Sequence, residues 1–499
     1  MQYILTSGQM KETEDYTINT LGISSLALME VASRNAYDYI INNSNGRDNY
    51  LIVCGSGNNG ADAMCIARFL FTHDKEVYVY FAGNIEKMSP EMKIQYETNQ
   101  KLGLNFVDYK EITGKYFSVS CIIDGLFGIS LNRELQDNYL KAVEFINEYK
   151  ERRGAKVYSL DIPSGLDAST GKIYGSCVKA DVTITNQWLK SGLILNDAPI
   201  YTGKIVIKDT DIILKPELKE HILKTHEKED IAIINKRNPI GHKGTYGKLL
   251  IIGGNDNMPG ALLMSSIAAK NMGTGMLKCI TAHENKETII SRLPDVMIDF
   301  FDMTESEFNE NISWCDACII GPGLGQSAEA KAFVLRALSL CTKPLIVDGD
   351  AINLISSNEN LYNALLERKD KYKTILTPHP SEFARLFKTN TKDKMNQDID
   401  YLKNIAANTG TVIVAKDART VVTDGKDVYI NTYTNTALST AGSGDILCGI
   451  IGALVAVDFS LDIIGRAVYI HSLAGIEASY ETGERACSAN DILDAIVHL

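Results

Sequence analysis

Ala441-Gly442-Ser443-Gly444-Asp445 carries the sharpest chemical signal in the sequence. Successive small residues running into a predicted helix leave backbone amides open to an anion, such as a phosphoryl group in transfer. An aspartate at the end of such a loop is placed to take a proton from the accepting hydroxyl. Glycine followed by an Asp cap would also explain the turn alone. Thr377-Pro378-His379-Pro380-Ser381-Glu382 sets an imidazole and a carboxylate three residues apart at a helix start. The plain alternative there is an acidic residue favoured by the helix N-terminus. Gly321-Pro322-Gly323-Leu324-Gly325 allows close backbone approach to a ligand. His242-Lys243-Gly244-Thr245-Tyr246-Gly247 and Asn257-Met258-Pro259-Gly260-Ala261 flank one strand-like run.

Another set of residues occupies the first half. Gly55-Ser56-Gly57-Asn58-Asn59-Gly60 has the glycine spacing of a dinucleotide phosphate loop, and equally of a tight βα turn. The paired carboxamides Asn58 and Asn59 offer oxygens to a monovalent cation or hydrogen bonds to an amide-bearing ligand. Asp124 and Asp161 each end a strand-like run, which in a parallel sheet brings them to one crevice. With Asn59 they could form a hard, all-oxygen cation site. Asp161 and Ser164 alone read as a turn or cap. Lys190 could be an acid/base or an anion anchor, with a solvated lysine as the default. Cys315-Asp316-Ala317-Cys318 lacks the second pair that zinc normally requires, so it reads as structural.

These residues must be positioned by alternating strands and helices. Runs at 50–55, 77–83, 120–128, 156–165 and 181–186 read as strands, with helical spacing at 61–71 and 136–153. Residues 3–42 read as helices packed in front of them. The charge-dense segment 214–230 is a boundary. A second alternation follows at 247–254, 275–281, 317–325, 343–350, 373–380 and 411–417, then a long helical region from about 444 to 499. The fold class is α/β in both halves, with largely parallel sheets covered on both faces.

The 499 residues are 45% hydrophobic and 22% charged, long enough for two or three domains and too apolar for disorder. A net charge of −12 with no basic block argues against general binding of nucleic acid or anionic membrane. No run suffices for a membrane span, and the start lacks the pattern of a secretory signal. Ten scattered cysteines, mostly within apolar runs, fit a reducing compartment. The expected location is the cytoplasm.

In order, the motifs of the chain resemble the bifunctional NAD(P)H-hydrate repair enzymes. The first half is similar to the NAD(P)H-hydrate epimerase, marked by Asn-Asn-Gly-Gly-Asp and Asp-Ile-Pro-Ser-Gly-Leu-Asp. HKGTYG, the Met-Pro-Gly-Ala step, GPGLG, TPHPSE and AGSGD follow the order of the ADP-dependent (S)-NAD(P)H-hydrate dehydratase. The resemblance implies a Rossmann-like three-layer epimerase domain at 1–215 and a ribokinase-like dehydratase domain at 225–499. It implies repair of NADH and NADPH hydrates: R and S forms are interconverted, and the S form is dehydrated with ADP to give AMP and phosphate.

By the same resemblance, Asn58, Asn59, Gly60, Ala61, Asp62, Gly128, Ile129, Ser130, Leu131, Asn132, Arg133, Glu134 and Asp161 contact the hydrate in the epimerase. Asn59, Asp124 and Ser164 bind K⁺. Ala261, Gly323, His379 and Asp445 contact the hydrate in the dehydratase, while Lys416, Asp417, Ala418, Arg419, Thr420 and Gly444 hold ADP or AMP. Glu382 helps organise Mg²⁺ through water. Asp445 and Asp161 are the catalytic candidates. Partners are the small-molecule hydrates and ADP, with a homo-oligomer expected. Ala61 and Ala63 replace family glycines, and Ser130 stands where glycine is common. Asn186-Gln187 replaces Phe-Gly, Ser381 replaces glycine in the His-Pro-Gly-Glu step, and Asp417 replaces the glycine after the nucleotide lysine. If positions 61 and 63 need left-handed backbone, alanine there costs about 1 kcal/mol. Two other readings fit the same residues: a ribokinase-like small-molecule kinase with a regulatory Rossmann-like domain, and a dehydratase with a non-catalytic, nucleotide-sensing first half.

Overall fold

Strand-forming Val, Ile, Tyr and Cys residues build a parallel sheet in the first half of the chain and a largely parallel one in the second. In the computed structural model, which describes residues 2–220, 222–233, 239–389, 395, 398–433 and 435–499, two compact units are present, Tyr3–Ile222 and Leu223–Leu499. Within the segment read as a boundary, His221 lies outside the described residues.

The strands of the first unit are β1 (Gln2–Leu5), β2 (Asn49–Cys54), β3 (Glu76–Phe81), β4 (Asn105–Phe106), β5 (Cys121–Gly125), β6 (Lys156–Leu160), β7 (Val182–Asn186), β8 (Leu189–Lys190) and β9 (Lys204–Lys208). Seven form a parallel sheet in the order β4-β3-β2-β5-β6-β7-β9. Central strands such as β5 are buried throughout, as a sheet covered on both faces requires. Helices Ser25–Asn43 and Asn58–Thr72 pack on one face, and helix Asp137–Arg153 on the other. The start of the chain departs from the helical expectation: Ile4 and Leu5 pair in parallel with Leu189 and Lys190. Thr6 then caps helix Ser7–Asp15 in a capping box with Gln9, and the chain continues through a π-helical turn at Tyr16–Thr20.

The strands of the second unit are β10 (Leu223–Thr225), β11 (Lys248–Ile252), β12 (Met276–Thr281), β13 (Met297–Phe300), β14 (Ala317–Ile320), β15 (Leu345–Val347), β16 (Thr374–Leu376), β17 (Val412–Ala415), β18 (Val421–Thr423) and β19 (Val428–Ile430). They are ordered β13-β12-β11-β14-β15-β16-β17-β18-β19-β10. β17, β18 and β19 are joined antiparallel, so residues 416–420 form the turn of a hairpin. The long C-terminal helical region divides into Ser443–Val455, Leu461–Thr482 and Ala489–Ile496. Helix Ser443–Val455 is buried along nearly its whole length within a core of the second unit, each large aliphatic side chain there contributing about 1.5–3 kcal/mol.

All ten cysteines are buried and unpaired by disulfides, Cys315 and Cys318 among them. No described helix is long and apolar enough to cross a membrane.

Candidate active sites

In the second unit, Gly442 adopts φ +92° and serves as the N-cap of helix Ser443–Val455. A side chain there would strain the backbone, and its Cβ would lie 3.2 Å from Ala489 Cβ. The turn brings Gly444 against Lys416: a Cβ built on the glycine would lie 3.4 Å from Lys416 Nζ. That ammonium pairs with Asp348 Oδ1 at 2.7 Å, and Thr377 Oγ1 donates to the same oxygen at 2.6 Å. Burial works against the charge on Lys416, but Asp348 and Glu382 outweigh it and raise the pKa.

Lys416, Asp417, Ala418, Thr420, Gly444 and His379 share the wall of one cavity of about 430 Å³ with Asn431, Tyr433, Ser443 and His471. Arg419 is not among those walls, and burial pulls its guanidinium down to about 10. Asp445 is also not a wall residue; its charge neighbours are Asp348, Lys416, Asp350 and Glu382. Burial, reinforced by the three carboxylates and opposed by Lys416, raises Asp445 to about 7. Asp350 in turn accepts Gly325 N at 2.8 Å, tying this carboxylate group to the glycine loop. Gly323, at φ +59°, lies beside Ala261, whose Cβ would be 3.1 Å from a Cβ at 323. Their chain neighbours 255–257 and 324–327 line a separate cavity of about 270 Å³.

His379 and Glu382 realise the plain alternative, while His379 also lines the cavity. His379 N donates to Glu382 Oε2 at 2.9 Å, and Ser381 N donates to His379 Nδ1 at 3.1 Å, which is a capping box. The Glu382 carboxyl is buried, and that burial raises its pKa.

In the first unit a cavity of about 580 Å³ is lined by Asn58, Asn59, Asp62, Gly128, Ile129, Ser130, Leu131, Asn132, Arg133 and Asp161, together with Glu14, Lys87 and Asn186. Glu134 faces a neighbouring cavity of about 280 Å³. Gly60 and Ala61 are buried and not among the walls. A Cβ on Gly60 would stand 2.1 Å from Gly55 O, so glycine here closes the βα turn by backbone contact. Asp124 is buried, accepting Ser164 Oγ at 2.6 Å, Ser164 N at 2.9 Å and Ser159 Oγ at 2.7 Å. Asn59 Nδ2 donates to Phe127 O at 2.8 Å and Leu160 O at 3.1 Å, while Phe127 N donates to Ser164 Oγ at 3.0 Å. Burial raises Asp124, against the pull of these hydrogen bonds.

Asp161 sits at φ +61°, a left-handed conformation uncommon outside glycine. Its Oδ1 pairs with Lys190 Nζ at 2.7 Å and accepts Thr185 Oγ1 at 3.1 Å. Lys190 is therefore not solvated: it is fully buried and also donates to Thr185 Oγ1 and Asn186 O. The expected cost at positions 61 and 63 does not arise, because both lie inside helix Asn58–Thr72 with ordinary helical backbone. In a helix interior alanine is favoured over glycine by about 1 kcal/mol. The replaced glycine that does sit in left-handed backbone is position 187, where Gln187 has φ +60° and its side chain accepts Thr210 N at 2.8 Å.

Asp348, Asp350, His471 and Glu14 escaped the sequence reading, and Thr377 entered it only as the first residue of the TPHPSE motif. For Asp348 a signal existed, since it directly follows strand β15 where ligand crevices form. Among the described residues, no cluster of three or more His, Cys, Asp or Glu is arranged to hold a metal ion directly.

Residues 249–498 match the family model described as NAD(P)H-hydrate dehydratase, and residues 25–192 match the one described as YjeF-related protein N-terminus. Over 98% of its length the chain is 30% identical to the bifunctional NAD(P)H-hydrate repair enzyme Nnr of Vibrio cholerae, covering 97% of that protein. It is 28% identical to Nnr of Escherichia coli K12, over 98% of this chain and 92% of that one. Among solved structures, a ribokinase-like superfamily protein from Enterococcus faecalis V583 aligns with a TM-score of 0.50 and 29% identity, covering 55% of this chain and 94% of its own.

Proposed function

The chain belongs to the bifunctional NAD(P)H-hydrate repair enzyme family, and from that premise we propose that its two large cavities divide the repair of hydrated NADH and NADPH. Residues 1–215 act as the epimerase that interconverts R and S hydrates. Residues 225–499 act as the dehydratase, which converts the S form to NAD(P)H while ADP becomes AMP and phosphate.

The observation that carries the second assignment is Asp445, a carboxyl raised to about 7 at the start of a buried helix, among Asp348, Asp350, Glu382 and Lys416. A base is most effective when its pKa lies near the working pH. In this reading Asp445 accepts the proton of the ring hydroxyl as the β-phosphoryl group of ADP moves onto that oxygen. The amides of 442–444 at the helix start offset the phosphoryl charge, and Lys416, Asp417, Ala418, Arg419, Thr420 and Gly444 hold the nucleotide. Ala261, Gly323 and His379 position the hydrate. Phosphate then leaves by elimination, and the dihydropyridine ring is restored.

Magnesium fits this carboxylate-rich site through Glu382, whose oxygens are already engaged by His379, so the ion would keep much of its water. When bound it offsets phosphate charge. Asn59, Asp124 and Ser164, with the Phe127 and Leu160 carbonyls, form an oxygen-rich cluster that fits a potassium ion. Asn59 meets two carbonyls through its amide nitrogen, and turning that amide over would add its oxygen to the set. In the first unit the hydrate would contact Asn58, Asn59, Gly60, Ala61, Asp62, Asp161 and residues 128–134. Asp161 is the acid/base group at the reacting carbon. The reading places the enzyme in the cytoplasm as a homo-oligomer, which fractionation and light scattering would check.

The test is recovery of reduced-nicotinamide absorbance from a mixed R and S hydrate preparation with ADP, Mg²⁺ and K⁺. Recovery of the whole pool, faster than spontaneous epimerisation allows, is the expected result. A stop after the S fraction would remove the epimerase assignment. No recovery with ADP or ATP would overturn the repair reading.

A further inference from the structure

Glu14 lies ahead of the stretch matched by either family model, on helix Ser7–Asp15, and no role proposed above falls on it. Its side chain lines the 580 Å³ cavity together with Asn58, Asn59, Asp62 and Asp161. The helix is tied down at its start by the Leu5 and Lys190 register of β1 on β8, by the Thr6 capping box, and by Ser7 N and Oγ on Ser169 Oγ at 2.9 and 2.7 Å. Shortly after Glu14 it widens into the π-helical turn Tyr16–Thr20, a distortion frequent at functional sites. Thr17 Oγ1 anchors that turn, donating to Thr13 O at 2.8 Å and accepting Ile213 N at 3.0 Å.

The charged groups around Glu14 are Asp161 from the turn after β6, Lys190 from β8, Asp62 from helix Asn58–Thr72 and Lys11 from its own helix, with Lys87 and Arg133 on the wall of the same cavity. Burial and the nearby Asp161 raise the Glu14 carboxyl to about 7, against Lys190 and Lys11. Asp161 differs in its surroundings, with Oδ1 committed to Lys190 and Thr185. Two neighbouring carboxyls in unlike environments are the arrangement that separates an acid from a base.

We propose that Glu14 is a second proton-transferring carboxyl of the first unit, acting with Asp161 on the ring hydroxyl of the hydrate. This rests on the epimerase reading of the cavity. Glu14 gives its proton to the hydroxyl, the C–O bond breaks, water leaves, and the ring-nitrogen lone pair makes the ring an iminium cation. Water adds to the other face of the same carbon and passes a proton to Asp161. Exchange with solvent reprotonates Glu14 and deprotonates Asp161, so only the configuration has changed.

The experiment uses the full chain and purified R hydrate without ADP, with the epimers separated chromatographically. Glu14→Gln is expected to slow interconversion at pH 7 by about a hundredfold and to remove the limb near pH 7 from the rate profile. Glu14→Asp, which keeps the proton-carrying group, should recover part of the rate. Dehydration of the S hydrate with ADP should stay within about twofold in both variants. In carboxyl-carbon NMR of glutamate-labelled enzyme, one signal titrating near 7 should vanish in Glu14→Gln. Wild-type interconversion and an unchanged pH profile in Glu14→Gln would overturn the proposal and leave the epimerase reading intact. A wild-type chain that does not exceed the spontaneous rate would overturn both.

Discussion

The two cavities contain the same device turned in opposite directions. Each has a Lys–Asp pair at 2.7 Å near a second carboxyl raised to about 7. In the second unit the lysine faces the cavity: Lys416 is 17% exposed and Asp348 3%. In the first unit the aspartate does so: Asp161 is 13% exposed and Lys190 1%. The outward member sets the sign of the charge shown to a ligand. A lysine suits a polyphosphate, and a carboxylate suits a ring that becomes cationic. The buried member sets an opposite charge within a few ångströms of its neighbour, which offsets desolvation there.

The most severe way to break the parallel is Asp445→Asn. Loss of the base should lower AMP formation by about 10³-fold or more, while ADP binding by calorimetry stays close to wild type. Turnover like wild type would remove Asp445 from its role. Next is Lys190→Met, which strands Asp161 beside its buried site. Breaking a buried pair costs about 3–5 kcal/mol, and partial exposure of Asp161 places this case at the low end. Chemical denaturation of the variant against the unmodified chain should show that loss.

A finer test is pH. Asp445 works deprotonated, so kcat/KM for dehydration should rise about tenfold per unit up to its raised pKa near 7 and then level. Glu14 works protonated, so epimerisation should fall above about 7. The stability contributions share one sign. A carboxyl raised on folding favours the native state most at low pH, and that contribution is lost as pH rises from the ordinary carboxylate range through about 7. Parallel pH profiles for the two activities would contradict the inverted arrangement. The smallest expected effect is Gly442→Ala, about 1–2 kcal/mol of stability from left-handed backbone and the Ala489 contact, measured by thermal unfolding.

The central strands were legible because their apolar runs end in Gly, Asp or Pro, as at β2, β5, β11 and β14. Short strands escaped: β8 is two residues long, and β1 carries too little pattern to separate it from the helix that follows. The second-unit loops could be read from local sequence, since each bears its own glycines or charged residues. Glu14 and Lys190 could not. Their environment arises from pairing between residues more than 180 positions apart, and a charged residue considered alone defaults to solvent. The backbone need of Gln187 was equally hidden, because a φ angle belongs to the turn and not to the residue that fills it.

The ten buried thiols bear on how this chain ages. A folded molecule keeps its thiols from an oxidant, whereas an opened one shows all ten. Oxidation therefore falls on molecules that have already begun to unfold, and each modified thiol is a polar group that can no longer be returned to its apolar site. Reversible opening becomes one-way loss, so the working lifetime follows the frequency of opening more closely than the amount of oxidant present.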